Sequence, residues 1–211
     1  KMNRREALQR VAMILGGSIV GANLFLEGCT QPASKSVEGL FDAKMIDRIG
    51  DLADAILPPT STPGAKEAGV GNFIPVFVRD CYTEKQQKAI VDGLATLDKT
   101  SKDLKGKDFA SLTLDEKTEV AEKLYKESEE YNGQRWERIK DEVEKNKTKQ
   151  NELVKPDVDY EPEHWFHLFR QMTLTGYFNS ELGLTKALRY VKIPGKYDGD
   201  YPYKKGDKAF A

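Results

Sequence analysis

His164 and His167 are the only histidines in the chain, and their i, i+3 spacing sets them about one turn apart on any helix that carries them. With Glu163 alongside, two imidazoles and a carboxylate have the donor types of a metal site. The rest of the donor set is thin. Cys29 and Cys81 are the only cysteines, and further carboxylates would have to be brought in from elsewhere. Histidines beside a tryptophan serve packing or the surface more often, so no metal is expected. Ser180 precedes Glu181 without an adjacent base to activate it and reads instead as the start of a short helix after a turn at Asn179. Cys81 lies on the apolar helical face of NFIPVFVRDCY and reads as a buried free thiol. Gly64, Gly69 and Gly71 lack both the spacing of a dinucleotide cradle and a preceding strand. No Cys-x-x-Cys-His run exists for covalent haem attachment. No catalytic acid, nucleophile or cofactor cradle is identified, and this chain is expected to hold no cofactor of its own.

The elements that would carry these residues are helical. Asp42 can cap a helix in which Met45, Ile49, Leu52 and Ile56 recur at helical spacing until Pro58-Pro59 stops it. Pro58 to Gly71 is a long Pro/Gly-rich loop. Asn72 can cap the next helix, with Phe73, Phe77 and Cys81 on one face. Thr83 with Gln86, and Thr113 with Glu116, have the spacing of capping boxes. The first opens a helix burying Ile90, Leu94 and Leu97; the second opens one burying Val120 and Leu124, with Tyr125 also placed inward. From about residue 127 to 154 charges dominate, which gives a solvated helical arm with a sparse apolar stripe. Pro162 suits the first position of a further helix, along which Trp165, Phe169, Met172 and Gly176 form a stripe. From Ile193 the chain is turn-rich and aromatic, an extended tail. No alternating run demands a sheet. The fold class is all-α: a single compact helical domain with long Pro/Gly-rich loops, an extended C-terminal tail and an N-terminal signal or anchor helix.

That N-terminal segment is the sharpest local signal. Lys1, Arg4, Arg5 and Arg10 precede the uncharged run VAMILGGSIVGANLFL, Val11 to Leu26. As a helix it would span roughly 24 Å, short of the ~30 Å hydrocarbon core, so it reads as an export signal. Arg4-Arg5 followed by Leu8 resembles the twin-arginine motif, whose route carries folded proteins. Leu26-Glu27-Gly28-Cys29 resembles a lipoprotein cleavage box, with Cys29 the candidate lipidation site. The expected division is therefore 1–29 signal or anchor, 30–40 polar tether, and 41–211 helical domain. A periplasmic, membrane-associated location follows, held by a lipid on Cys29 or by a retained signal helix.

Of the 211 residues 32% are charged, yet the net charge is −1. Without a concentrated basic face the chain is not expected to bind nucleic acid.

Three stretches in order carry a family resemblance. LADAILPPTSTPGAKEAGVGNFI (Leu52 to Ile74), FRQMTLTGYFNSELGLTKALRY (Phe169 to Tyr190) and IPGKYDGDYP (Ile193 to Pro202) resemble the blocks of the gluconate 2-dehydrogenase subunit 3 family, over roughly residues 40–205. The resemblance implies a non-catalytic small subunit. Its partner would be a large FAD-dependent flavoprotein of the glucose–methanol–choline family that oxidises sugars or sugar acids and often passes electrons to a cytochrome. The small subunit would export, anchor and stabilise it. The charge-rich middle departs from the family pattern. Candidate partner contacts are Pro58, Pro59, Pro63 and Gly64 in the loop, and Tyr197, Tyr201 and Tyr203 in the tail. An alternative is a free-standing exported sugar-binding lipoprotein that stacks ligand on Trp136, Trp165 and those tyrosines. A third reading is a metal-dependent enzyme centred on His164 and His167.

Overall fold

The computed structural model describes residues 36–147, 161–193, 195, 198–202 and 204–210. Arg4, Arg5, Leu8, Cys29, residues 30–35 of the expected tether, residues 148–154 of the arm, Tyr197 and Tyr203 lie outside the described residues.

Six α-helices build the described part: α1 Val37–Leu40, α2 Ala43–Ile56, α3 Val70–Cys81, α4 Glu84–Lys105, α5 Leu114–Lys147 and α6 Trp165–Phe178. A 3₁₀ turn at Phe109–Ser111 and a π-helical turn at Gly183–Ala187 complete them. The strand-like pairing among the described residues is an isolated bridge between Arg189 and Phe210. The all-α expectation therefore holds for these residues. α2 packs on α3 and α5, and α6 runs against α3, α4 and α5.

Local chemistry sets most helix ends. Asp42 caps α2, accepting from the Met45 N–H at 2.7 Å, and the chain leaves the helix at Leu57 ahead of the two prolines. Thr83 and Gln86 form a reciprocal capping box at α4. At α5 the Thr113 N–H donates to Glu116 Oε2 at 2.8 Å, and the Glu116 N–H returns to Thr113 Oγ1 at 3.3 Å. Such a cap is worth about 1 kcal/mol. The core is the set of faces that the helical periodicity marked. Ile49, Leu52 and Ala53 of α2 meet Val70, Ile74 and Val78 of α3. Phe166, Phe169 and Met172 of α6 close over Ile90, Leu94 and Leu97 of α4. Each large apolar side chain so buried contributes about 1.5–3 kcal/mol.

The structure corrects four local expectations and extends a fifth. α3 starts two residues earlier than Asn72, because Gly69 takes φ +80° and acts as the cap itself. Cys81 is exposed: its helical angle is right, but it is the last residue of α3, where the chain turns away into α4. Tyr125 is 39% exposed, since the inward face of α5 is already filled by Val120, Ala121 and Leu124. Pro162 lies outside α6, which begins at Trp165 behind His164. Helical order also begins before residue 41, with α1 and a buried Phe41. The charge-rich stretch is, as far as residue 147, the continuation of α5. Its sparse stripe of Tyr131, Ile139 and Val143 is only half-buried.

Candidate functional site

His164 and Ser180, two of the residues that invited chemistry, are engaged in holding the fold. His164 caps α6: its Nδ1 accepts the Phe166 N–H at 3.3 Å, and its own N–H donates to Asn132 Oδ1 on α5 at 3.0 Å. An accepting Nδ1 leaves the ring proton on Nε2, so the imidazole is neutral. Burial holds its pKa below the ordinary 6.5, against an upward pull from Glu127. His167 pairs through Nε2 with Gln171 at 2.8 Å. Among the described residues no group of three His, Cys, Asp or Glu is placed to hold a metal. Ser180 accepts the Gly183 N–H at 2.9 Å and donates to the Tyr177 carbonyl at 2.7 Å. It caps the turn that starts at Glu181, as its place after Asn179 predicts.

The loop after α2 is braced from both sides. Asp54 Oδ1 accepts the Lys66 N–H at 2.7 Å, the Ala65 N–H donates to the Leu57 carbonyl at 3.0 Å, and the Tyr177 hydroxyl donates to the Pro63 carbonyl at 2.8 Å. Asp51 lies between Lys66 Nζ at 2.6 Å and Lys117 Nζ at 2.8 Å. Burial pushes the Asp51 carboxyl up, but hydrogen bonds from Lys117 and Lys66 outweigh it and leave the pKa below its ordinary value. Asp54 goes the other way: burial raises it, and the Lys66 N–H recovers only part. Of the loop residues expected to meet a partner, Pro58 and Pro59 are exposed, Pro63 is half-buried and tied by its carbonyl, and Gly64 is buried. A Cβ on Gly64 would stand 2.6 Å from Asp54 Oδ1 and 2.9 Å from Pro59 Cδ. Gly64 therefore serves close approach within the loop.

The tail turns back on itself. The Arg189 N–H donates to the Ala209 carbonyl at 2.8 Å, and its guanidinium donates to the Tyr201 hydroxyl at 2.8 Å. That guanidinium lies over both the Tyr201 and Phe210 rings, 5.3 and 4.9 Å from their centroids. Lys208 reaches the Lys186 carbonyl. Tyr190, Val191, Ile193, Tyr201 and Phe210 nonetheless stay exposed, and of these Tyr201 and Phe210 lie ring to ring. The aromatic pair expected to stack a sugar is divided. Trp165 is buried in the core, and Trp136 is exposed with Lys140 over its ring.

Sequence reasoning missed a cleft of ≈ 380 Å³ between α2, α5 and α6, lined by Ile56, Thr118, Glu122, Tyr125, Phe166 and Arg170 among others. Arg170 lies 5.3 Å over the Tyr125 ring. The available signal was a lone arginine inside the otherwise apolar and neutral α6 from Trp165 to Phe178, apart from His167.

No helix among the described residues is long and apolar enough to cross a membrane. The sequence model of a protein family, gluconate 2-dehydrogenase subunit 3, matches residues 44–195. No curated protein and no solved structure matches the chain.

Proposed function

Because the chain belongs to the gluconate 2-dehydrogenase subunit 3 family, we propose that it is the non-catalytic small subunit of a dehydrogenase complex. Its partner is a large FAD-bearing subunit of the glucose–methanol–choline type, acting on a sugar or sugar acid, with a cytochrome as a possible electron acceptor. The small subunit stabilises that flavoprotein, carries it out of the cytoplasm by the signal at Arg4, Arg5 and Leu8, and holds it at the membrane through Cys29 or a retained signal helix.

The observation that carries this reading is the family match over residues 44–195. Supporting it, three side chains with reactive potential have structural assignments here, while Cys81 is exposed. His164 and Ser180 cap helical turns, and Asp51 is held between two lysines. The exposed apolar side chains of the tail and the bare prolines at Pro58 and Pro59 suit a subunit that works by contact.

Purification tests it. A tagged chain produced alone should bind no flavin and oxidise no sugar with an artificial electron acceptor. The same chain drawn from its native membranes should bring down a large subunit with a flavin absorbance spectrum. Replacing Arg4 and Arg5 with Lys keeps the charge but removes the guanidinium geometry, and should leave both subunits in the cytoplasm. Turnover by the isolated chain, or native material that carries no flavoprotein, overturns the proposal.

A further inference from the structure

Arg170 is half-buried, forms no ion pair among the described residues, and lies over the face of Tyr125. Other partly buried basic groups of this domain are paired: Arg48 with Asp98, and Lys117 with Asp51. A guanidinium without a described carboxylate partner, on a residue anchored in the fold, is available to one brought by an incoming chain. Glu122 also lines the cleft but is not paired with it. Beside Arg170 the cleft floor is apolar, formed by Ala55, Ala121 and the buried Phe166. Thr118 does not compete for an incoming acid, because its hydroxyl donates to the Ala55 and Leu114 carbonyls.

We infer that this cleft is a docking groove for a segment of the large dehydrogenase subunit that presents an acidic side chain to Arg170 and an apolar side chain to the floor over Phe166. The inference rests on the accessory-subunit reading and adds to it the place and chemistry of one contact. Charge complementarity selects the acid, and the fixed fork of the guanidinium, already oriented over Tyr125, takes a carboxylate by two parallel hydrogen bonds at little entropic cost. Arginine and tyrosine at the edge of an apolar depression are also the residue types that dominate binding energy at protein interfaces. The cleft lies between α2 and α6, so it is separate from the Arg189–Tyr201–Phe210 cluster of the tail.

Binding of the separately purified large subunit to the small-subunit chain tests this, with dissociation constants measured by titration. Arg170→Ala should loosen the complex by about tenfold or more, Arg170→Glu further, and Arg170→Lys by less than Arg170→Ala. Tyr125→Ala, on an exposed side chain whose loss leaves the core intact, should loosen it several-fold, and serves if an Arg170 variant fails to fold. Glu122→Gln, which removes a charge of the same sign as the incoming acid from the cleft wall, should tighten it. A wild-type complex that forms while Arg170→Ala, Arg170→Glu and Tyr125→Ala all bind within twofold of wild type overturns the groove and leaves the accessory role standing. A wild-type chain that binds no flavoprotein subunit overturns both.

Discussion

The loop from Pro58 to Gly69 and the tail beyond Leu188 are alike in composition and opposite in attachment. Both are rich in glycine, proline and polar residues, and both break regular helix. The loop is held by the helical body: an Asp54 carboxylate from α2, the Leu57 carbonyl at the α2 end and the Tyr177 hydroxyl from α6 take up its backbone groups or supply donors, and Ala65 is fully buried. Among the described residues, the tail is held mostly by itself and by the two residues that introduce it, through Arg189 and the Lys186 carbonyl. Composition marks where the backbone leaves the helix. Whether the resulting segment is rigid depends on which elements receive its orphaned N–H and C=O groups, and that is decided by residues far away in sequence. Tyr177 and Pro63 are 114 positions apart.

The largest effect expected from this contrast is at Gly64. An added methyl would meet Asp54 Oδ1, Pro59 Cδ and the Pro59 backbone nitrogen at 3.0 Å or less, and two of those are fixed by a proline ring. Gly64→Ala should therefore cost about 1–3 kcal/mol of stability, a fall in melting temperature of roughly 2–4 °C per kcal/mol for a chain of this size. The matching change in the tail is Gly206→Ala. Gly206 has φ +98°, so alanine is strained there too, but the strain falls on a segment that the core does not depend on. Thermal unfolding of the two variants side by side should show Gly64→Ala clearly lower and Gly206→Ala close to wild type. Equal shifts would mean that the tail is as integral as the loop.

What was readable in advance follows the same division. Helix faces and caps were legible because they depend on neighbours three or four residues away: Asp42 with Met45, Thr83 with Gln86, Thr113 with Glu116, and the stripe Trp165, Phe169, Met172, Gly176 all appear as their spacing dictates. Apart from Tyr125, in the middle of α5, misreadings occurred at helix ends, where tertiary context decides. Cys81 sits at the right angle but beyond the reach of the packing partner. Pro162 has the preferred residue type for a first turn, yet the His164 imidazole and Asn132 on α5 set the start of α6. The cleft at Arg170 was illegible because its walls come from three helices. The lone arginine in the apolar α6 was the one local hint, and it does not tell an unpaired guanidinium from a solvated one.

The bracing of the loop is also electrostatic, and its two carboxylates respond to acid in opposite directions. Asp51 is held below its ordinary 3.8 by Lys117 and Lys66. A carboxyl depressed in the folded state contributes stability that is complete above its unfolded pKa and lost as pH falls through the folded value. Asp54 is raised by burial, so its ionised form weighs against the fold at neutral pH and that burden lifts as pH falls through its folded value. Asp51→Asn should lower stability at pH 7, by up to about 1 kcal/mol for such a partly exposed cluster, and flatten the loss of stability below about pH 4. Asp54→Asn keeps an acceptor for the Lys66 N–H and should leave the protein as stable or slightly more so at pH 7. Urea unfolding of the three proteins at pH 7 and pH 3 measures both slopes. Parallel curves for wild type and Asp51→Asn would show that the Lys66–Asp51–Lys117 cluster does not brace the loop.

The smallest effect on the fold is expected at Arg189. Its guanidinium joins Tyr201 to Phe210 by one hydrogen bond and two ring contacts, each ring contact worth about 0.5–1 kcal/mol at an exposed site. That energy acts between parts of the tail. Loss of the side chain therefore opens the tail without drawing on the helical core, and the global unfolding free energy of Arg189→Ala should stay within about 0.5 kcal/mol of wild type. The backbone bond from the Arg189 N–H to the Ala209 carbonyl does not need the side chain, but alone it closes a long, exposed segment, and such bonds open readily. Limited proteolysis should accordingly cut Arg189→Ala several-fold faster between residues 190 and 208 while α2 to α6 stay resistant. If the tail meets the large subunit as proposed, the same variant should loosen the complex by far more than it destabilises the chain, because binding then has to re-order what Arg189 had held in place. A variant that melts several degrees low, with proteolysis spread over the helices, would mean that the tail belongs to the core after all and that the contrast with the loop is one of sequence position only.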